Sequence, residues 1–322
     1  MQIPYRFIEK IKINQQTKDA TTQQLDSQES AIIVVPEQPG KAVWEHIAYG
    51  DIIRTRYQRA LRQDKHCRQL TLDLPNKKGT RILLQVINPD CDTFSYLTLA
   101  RKLAGSVRTL DPTAVLLQVT GLAPDVTGQV TESLVAALLA SVCPMPDYKS
   151  EKTPHAALAR IRICGAEPRI KPAQVRAEIM GNHLTRWLSA LPPNELTPGS
   201  YRKAVKGIAE QEGWDMTFLD RKALARKKAG AFLAVVQGSP VADAGIVHLR
   251  YRPKKRGGKK LALVGKGICF DTGGVNVKPA KYMNGMHEDM QGSAVALGSL
   301  LALSRLGVNH PVDCWLALAE NH

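Results

Sequence analysis

Three side chains that can bind a metal ion or polarise a carbonyl group fall within a short part of this sequence. Lys266 and Asp271 lie in the stretch "LVGKGICFDTGGVNVKP", which runs from Leu263 to Pro279, and Asp289 follows eighteen residues after Asp271. Carboxylate oxygens are hard ligands for divalent cations, whereas a lysine binds a metal only as its neutral amine. That role requires burial or a neighbouring dication to lower the lysine pKa from about 10.4.

The glycines around these residues leave three kinds of site open. One is a phosphate-binding loop, although the pattern GxxxxGK[ST] is absent and "GKGICFDTGG" does not run directly into a helix. A second is a structural turn with incidental charge, and a third is a metal site with an electrophilic lysine. In each case the four glycines of residues 265–274 are predicted to let the backbone turn tightly and approach a ligand closely.

These residues follow the apolar run "LALV" (261–264), which predicts a buried strand of a largely parallel sheet. Ligand sites in such sheets lie beyond the carboxyl ends of the strands, so this strand would deliver Lys266 and Asp271 to the usual place. The first half of the sequence alternates between β-type and helical runs, which is typical of an α/β domain with a mostly parallel sheet. The predicted strands there are 31–36, 81–87, 114–119 and 159–165, and the predicted helices are 93–110 and 130–142.

The second half begins again as α/β. Thr197 and Pro198 predict the N-cap and the first position of a helix over 197–213, and a second long helix is predicted at 289–307. The predicted strands are 214–220, 231–239, 244–252, 261–267 and 312–321. The first thirty residues are polar by contrast, and we expect a loop or a frayed hairpin there.

A helical segment at 171–192 is predicted to connect two α/β domains. Val175, Ile179 and Trp187 recur at roughly helical spacing, and the pattern ends at the three prolines of "LPPNELTP". We therefore expect an N-terminal α/β domain at 1–170, this connecting helix, and the first part of a catalytic α/β domain at 193–322.

One segment resembles the core motif of a known enzyme family. The residues "VGKGICFDTGGVNVKPAKYMNGMHEDMQGSAVALG" are similar to the core motif of the leucyl aminopeptidase family, the M17 cytosol aminopeptidases. "LPPNELTP", "FLAVVQGS" and "WLALAEN" are similar to landmarks of that family and occur in the same order. The resemblance covers residues 180–322, and it implies a metal-dependent aminopeptidase that releases leucine-like residues from the N-termini of peptides.

The resemblance also implies roles for particular residues. It implies two divalent metal ions, manganese or zinc, with Lys266 and Asp289 as ligands of the second ion and Asp271 as a bridge between both. Lys278 matches the catalytic lysine of the family, which polarises the scissile carbonyl group. In such a site a bridging hydroxide is held between the ions and the cationic lysine complements the developing oxyanion.

Other positions of the motif lie beside the implied site. Met283 and Met286 match positions next to the substrate pocket, where an apolar wall suits a leucine-like side chain, although plain core packing is the alternative. His287 and Glu288 are expected to be surface or supporting residues. For a complete chain, the resemblance implies peptide substrates and a homo-oligomer, which is a hexamer in this family.

A second family motif, N-T-D-A-E-G-R, is expected some twenty to thirty residues past the "AEN" landmark and is absent from these 322 residues. Its acidic residues are metal ligands of the family, and its arginine is catalytic. Without them the first metal would have Asp271 as its only clear ligand. We therefore expect an incomplete site, and we expect this sequence to be a weakly active or inactive fragment.

The formal charge of +15 is high for a chain of ordinary composition, with 44% hydrophobic and 23% charged residues. The basic excess concentrates in "RKALARKK" (221–228) and "RPKKRGGKK" (252–260), which are either solvated faces or a surface for nucleic acid. A non-catalytic nucleic-acid-binding or structural subunit is therefore the alternative function. The candidate contacts are Arg221, Lys222, Lys254, Lys255 and Arg256.

The six cysteines are scattered without a CxxC pair, which predicts buried free thiols rather than disulfides or a structural zinc site. No apolar run approaches the length of about 18 residues that a membrane span needs. The N-terminus also lacks the apolar region of a signal peptide. We expect a cytoplasmic protein without a membrane partner.

Overall fold

The computed structural model describes residues 4–151, 156–255 and 257–322. The chain divides into two compact units. The N-terminal unit comprises Phe7–Cys143 and Pro154–Arg176, and the C-terminal unit comprises Met1–Arg6, Pro144–Thr153 and Ala177–His322. The last division falls inside a helix, α6 (Pro172–Ser189), at the place where the sequence predicts a connecting helix.

The N-terminal unit is built around a six-stranded sheet. Its strands are β1 (Lys12–Gln15), β2 (Ser30–Pro36), β3 (Gln69–Asp73), β4 (Arg81–Ile87), β5 (Ala114–Val119) and β6 (Arg160–Cys164). They lie in the order β1-β6-β5-β2-β4-β3, and every pair is parallel except β3 with β4. The helices of this unit before α6 are α1 (Thr22–Asp26), α2 (Lys41–Glu45), α3 (Gly50–Gln63), α4 (Thr93–Leu110) and α5 (Pro124–Ser141). The predicted α/β class with a mostly parallel sheet is confirmed.

Burial explains why the sequence predicts these strands well. Central strand β2 is buried along almost its whole length, so it consists of a continuous run of apolar residues. Edge strand β3 alternates instead between exposed and half-buried positions, so its sequence contains no continuous apolar run. The expectation of a loop in the first thirty residues is wrong, because β1 pairs with β6 and Thr21 caps α1 through a capping box with Gln24.

The C-terminal unit contains a four-stranded mixed sheet. Its strands are β7 (Asp215–Asp220), β8 (Gly245–Tyr251), β9 (Leu261–Asp271) and β10 (Val312–Asn321), in the order β7-β8-β10-β9. Only β10 and β9 are parallel, so the prediction of a largely parallel sheet is wrong for this unit. The helices after α6 are α7 (Pro198–Glu212), α8 (Arg221–Arg226), α9 (Gly230–Val236), α10 (Ala280–Met283) and α11 (Gln291–Leu306).

Strand β9 differs from its prediction in position and burial. It lies at an edge of the sheet in the described part of the chain, and Val264 is 78% exposed, so the prediction of a buried strand at "LALV" is wrong. Gly265 and Gly267 lie within the strand and not in a turn. A Cβ at Gly265 would overlap the Cα of Ser293, so this glycine lets the first turn of α11 approach the strand.

Two helical predictions have different outcomes. Helix α7 begins as predicted, since Thr197 accepts a hydrogen bond from the Ser200 N–H and Pro198 occupies the first position. The run "AFLAVVQGS" is not a strand, because Gly230–Val236 form α9, which packs Val236 against Ala244 and Ala319. Short apolar runs fit a buried strand and a buried helix equally well.

All six cysteines are free thiols, and four of them are buried, as predicted. Among the described residues, no helix combines the length and the apolar character that crossing a membrane requires.

Candidate metal and catalytic site

The carboxyl ends of β9 and β10 bring the candidate site together. The two strands run parallel, and Asn321 at the end of β10 lies opposite Asp271 at the end of β9. The Thr272 N–H and hydroxyl group both donate to the Asn321 carbonyl oxygen, at 2.8 and 3.0 Å. These hydrogen bonds join the segment after β9 to the end of β10, so the position of Asp271 is determined by both strands.

Asp271 is held by three donors. Its Oδ2 lies 2.7 Å from the Lys278 Nζ, and its Oδ1 accepts hydrogen bonds from the Asn321 Nδ2 at 2.7 Å and the Gly273 N–H at 2.9 Å. Burial on its own would raise the pKa of this carboxyl group. The hydrogen bonds from Lys278, Asn321 and Gly273 outweigh burial and bring the Asp271 pKa well below its usual value. Asp271 is therefore an anion at neutral pH.

Lys278 reaches Asp271 because the intervening segment folds back on itself. Gly273 and Gly274 have φ angles of 98° and 68°, which only glycine adopts readily, and the Lys278 N–H donates to the Thr272 carbonyl oxygen at 2.8 Å. The Lys278 Nζ also lies 3.2 Å from the Asp271 carbonyl oxygen and 3.1 Å from the Met286 Sδ. The predicted tight turn is thus confirmed for Gly273 and Gly274.

Lys266 and Asp289 form a second ion pair. Lys266 lies on β9, and its side chain is 54% exposed, whereas the Asp289 side chain is only 21% exposed. Asp289 lies between a 3-10 turn (Met286–Glu288) and α11, two residues before the helix begins. The structure therefore places the four predicted charged residues in two lysine–aspartate pairs, one at the end of β9 and one along it.

The donor chemistry at this place fits part of a site for divalent cations. Two carboxylates and a lysine that contacts one of them are oxygen and nitrogen ligands of the required type. Within residues 4–151, 156–255 and 257–322, however, no three histidine, cysteine, aspartate or glutamate side chains lie close enough together to hold a metal ion. The described residues thus supply a partial ligand set.

The remaining predicted residues of the motif surround these pairs. Met283 on α10 and Met286 on the 3-10 turn are half-buried, and Met286 contacts Lys278. His287 is half-buried and Glu288 is exposed. Neither of these two side chains makes an ion pair with the charged residues of the site in the described part of the chain.

The two basic runs lie at opposite ends of the four-stranded sheet. Asp220, which precedes Arg221 and Lys222 on α8, pairs with the first residue of β8, whereas Lys254 and Lys255 follow the last. Six residue steps of antiparallel strand separate these ends, or about 20 Å. The candidate contacts therefore do not form one continuous patch, and Arg256 lies outside the described residues.

Part of the second basic run serves the fold. The buried carboxylate of Asp313 on β10 accepts hydrogen bonds from the His248 Nε2 at 2.9 Å and from the Arg252 Nη2 at 3.1 Å, and it forms an ion pair with Lys260. The Asp313 side chain is only 3% exposed. Arg252 and Lys260 therefore hold the ends of the 252–260 loop.

Sequence reasoning missed two supports of the site. Asn321 was noted only within the "AEN" landmark, although it donates to Asp271. Ser293 at the start of α11 contacts the fully buried Tyr201 hydroxyl group at 3.1 Å, which joins α11 to α7 behind β9. Neither contact could be found from sequence spacing, because the partners are 50 and 92 residues apart.

Comparison with known proteins identifies the class. The family model described as "Cytosol aminopeptidase family, catalytic domain" matches residues 183–322, which include all of the residues described above around Asp271 and Lys266. Residues 183–322 of the chain therefore carry catalytic-domain sequence of this family, the M17 cytosol aminopeptidases.

Curated relatives agree with this match. A protein of Pseudomonas fluorescens named "Probable cytosol aminopeptidase" is 32% identical over 267 residues, which are 78% of this chain and 53% of the relative. A protein of the same name from Streptomyces avermitilis is 38% identical over 178 residues, or 54% of this chain and 34% of the relative. The chain thus spans about a third to a half of the length of such relatives.

Solved structures support the fold. A tomato leucine aminopeptidase mutant superposes with a TM-score of 0.79 at 21% identity, covering 97% of this chain and 63% of that chain. The bottromycin maturation enzyme BotP, in complex with Mn, gives a TM-score of 0.72 at 22% identity and covers 91% of this chain. The likeness extends through both units, whereas the family model matches the C-terminal unit only.

Proposed function

We propose that this chain contributes part of the active site of a metal-dependent aminopeptidase that releases leucine-like N-terminal residues from peptides. The observation that carries the proposal is the arrangement of Lys266, Asp271, Lys278 and Asp289 on one family motif. Lys278 and Asp271 lie 2.7 Å apart at a strand end, which is where an α/β sheet presents catalytic groups.

Lys266, Asp271 and Asp289 would hold the divalent ions. When bound, two such ions activate a water molecule and stabilise the tetrahedral intermediate of peptide hydrolysis. Manganese is the first ion to test, because a solved structure with a similar fold is in complex with Mn. Zinc is the second.

Lys278 would polarise the scissile carbonyl group. Its side chain is only 27% exposed and lies against the Asp271 carboxylate, so its ammonium group is oriented before a substrate binds. Half-buried Met286 contacts the same ammonium group, and with Met283 it would provide the apolar wall for a leucine-like side chain. We also propose that the substrates are peptides and that the complete protein forms a homo-oligomer.

The 322-residue chain by itself is expected to bind divalent ions weakly. Each candidate ligand is engaged by a neighbouring side chain, and the described residues supply two carboxylates and one amine for two ions. Titration calorimetry with Mn²⁺ and Zn²⁺ measures this directly. Binding of two ions per chain with submicromolar dissociation constants would show that other residues of this chain complete the site.

A segment exchange tests the catalytic roles. Residues 183–322 replace the matching segment of the Pseudomonas fluorescens relative, and hydrolysis of leucine p-nitroanilide is measured with Mn²⁺. We expect the exchanged protein to be active, and we expect Asp271→Asn or Lys278→Ala to remove most of that activity, while Lys254→Ala at the distant loop serves as a matched control. A folded exchange protein in which Asp271→Asn hydrolyses normally would contradict the assignment.

Nucleic-acid binding is the alternative function, and each basic run would have to bind separately, since the runs lie at opposite ends of the sheet. Charge reversal at Arg221 and Lys222, or at Lys254 and Lys255, should weaken DNA binding and flatten its salt dependence for whichever run makes the contact. Unchanged DNA affinity in both variants would mean that the two basic runs are solvated faces and do not bind nucleic acid.

A further inference from the structure

The C-terminal unit contains a groove that has no role in the proposed site. A cavity of about 630 Å³ lies between helix α7 and strand β7, and we call it the α7–β7 groove. It is lined by Gly199, Arg202, Lys203, Lys206, Met216 and Phe218. Its volume is within the range of pockets that bind small molecules or a few side chains.

The floor of the groove is apolar. Met216 and Phe218 are two residues apart on β7, so their side chains lie on the same face of the sheet, which is the face that α7 covers. Both residues lie on an edge strand, and their neighbours on β8 are Leu249 and Val247. An apolar side chain of a partner could therefore be buried against them.

The wall of the groove is basic. Arg202, Lys203 and Lys206 lie within two turns of α7, and the Arg202 guanidinium lies 4.3 Å from the centre of the Phe218 ring. Lys203 and Lys206 are exposed, and the 3.8 Å contact of Lys206 with Glu210 is an exposed pair of small energetic value. These charges are therefore available to an anionic partner.

The charge continues beyond the groove. The N-terminal end of α7 lies beside Asp243, which accepts a hydrogen bond from the Gly199 N–H, and β7 ends at the same end of the sheet. Arg221 and Lys222 follow directly there at the start of α8, while Asp220 is engaged as the cap of that helix. Arg221 and Lys222 therefore add two positive charges at this end of the sheet.

Strand β7 also offers backbone groups. In the described part of the chain it hydrogen-bonds to β8 alone, so the N–H and C=O groups along its other side have no strand partner. An extended peptide can add to such an edge through main-chain hydrogen bonds. Alternate side chains of the added strand would then point to the face that carries the α7–β7 groove.

We propose that the α7–β7 groove binds an extended acidic peptide segment, which adds to β7 as a further strand. An apolar side chain of the peptide would lie on the Met216 and Phe218 floor, and its carboxylates would lie beside the three basic residues of α7. The peptide is favoured over nucleic acid because the free edge of β7 offers main-chain hydrogen-bond groups, which recognise a peptide backbone rather than phosphate.

Fluorescence anisotropy with a labelled eight-residue peptide tests this proposal. The peptide carries threonine at every second position and valine or glutamate at the positions between, so that its acidic and apolar side chains share one face. A matched peptide with proline in place of the central threonine lacks one N–H group. A labelled dT12 oligonucleotide is the nucleic-acid probe.

We expect the first peptide to bind and the proline peptide to bind on the order of tenfold more weakly. Lys203→Glu with Lys206→Glu should weaken binding by at least about tenfold, because attraction becomes repulsion. The control variant, Lys254→Glu with Lys255→Glu, makes an equal change in net charge at the opposite end of the sheet. It should change the peptide affinity less than twofold. Hydrogen exchange of the β7 amides should slow when the peptide is added.

Three results would overturn the proposal. The first is no binding of the acidic peptide to the unmodified chain. The second is an equal loss in the two double variants, or unprotected β7 amides, either of which would mean non-specific attraction to a chain of net charge +15. The third is binding of dT12, but not of the peptide, that is lost in the groove variant, which would identify nucleic acid as the partner.

Discussion

A buried histidine should make the C-terminal unit sensitive to mild acid. His183 on α6 is 1% exposed, and neither ring nitrogen has a hydrogen-bond partner among the described residues. Burial, together with the nearby charge of Arg186, lowers its pKa from 6.5 to about 4. The folded state therefore holds the neutral imidazole, whereas the unfolded chain takes up a proton below a pH of about 6.5.

The sign and the magnitude of the effect follow from these pKa values. Because the unfolded state binds the proton more tightly, the free energy of unfolding falls as the pH is lowered from about 6.5 towards about 4. With the two pKa values of His183, the loss is small at pH 7 and roughly 2 kcal/mol at pH 5. Nearly all of this loss of stability should therefore occur between these two pH values.

Replacing this residue by leucine should remove that loss. His183→Leu keeps a side chain of similar size and removes two polar nitrogens without partners, so we also expect stability at pH 7 to be equal or higher. Urea unfolding at pH 7 and pH 5, followed by tryptophan fluorescence, measures the difference, because half-buried Trp187 lies on the same helix. His66→Leu, at an exposed position, is the matched control, and His183→Met is the second variant if leucine does not fit.

Identical pH dependence in the unmodified chain and in His183→Leu would refute the reasoning. It would mean that the buried ring has a donor or acceptor, such as a water molecule, that keeps its pKa near the ordinary value.

Two further substitutions test the supports of the site. Gly265→Ala should destabilise the C-terminal unit by about 2 kcal/mol or more and weaken any Mn²⁺ binding, because the new methyl group would push the start of α11 away from β9. The control is Gly207→Ala on α7, where a methyl group has open space. Equal thermal midpoints for the two variants would contradict the close packing at Gly265. Asp313→Ala should lower the free energy of unfolding by about 3 kcal/mol and speed tryptic cleavage of the 252–260 loop, because His248, Arg252 and Lys260 lose their shared buried acceptor. An unchanged cleavage rate would mean that this carboxylate does not hold the loop.

The sequence by itself determined the elements whose signals are local or whose burial is complete. Central strand β2 is predicted at 31–36 and lies at Ser30–Pro36, because a strand that is buried along its length needs a continuous apolar run. Helix α4 is predicted at 93–110 and lies at Thr93–Leu110, because a helix shows apolar residues at helical spacing. The Thr197 cap was predictable because capping involves residues three positions apart. The family motif likewise brought Lys266, Asp271, Lys278 and Asp289 into one hypothesis.

Tertiary structure alone decided which groups meet. The apolar run that became α9 had no distinguishing period, and it is a helix because Val236 packs against Ala244 and Ala319. The order β7-β8-β10-β9 placed β9 at an edge and the two basic runs at opposite ends, which no local signal encodes. The hydrogen bond from Asn321 to Asp271 joins the ends of two strands and residues 50 apart in sequence. Pairing between distant segments is set by the packing of the whole unit, since the gain from burial must outweigh the entropy of closing long loops.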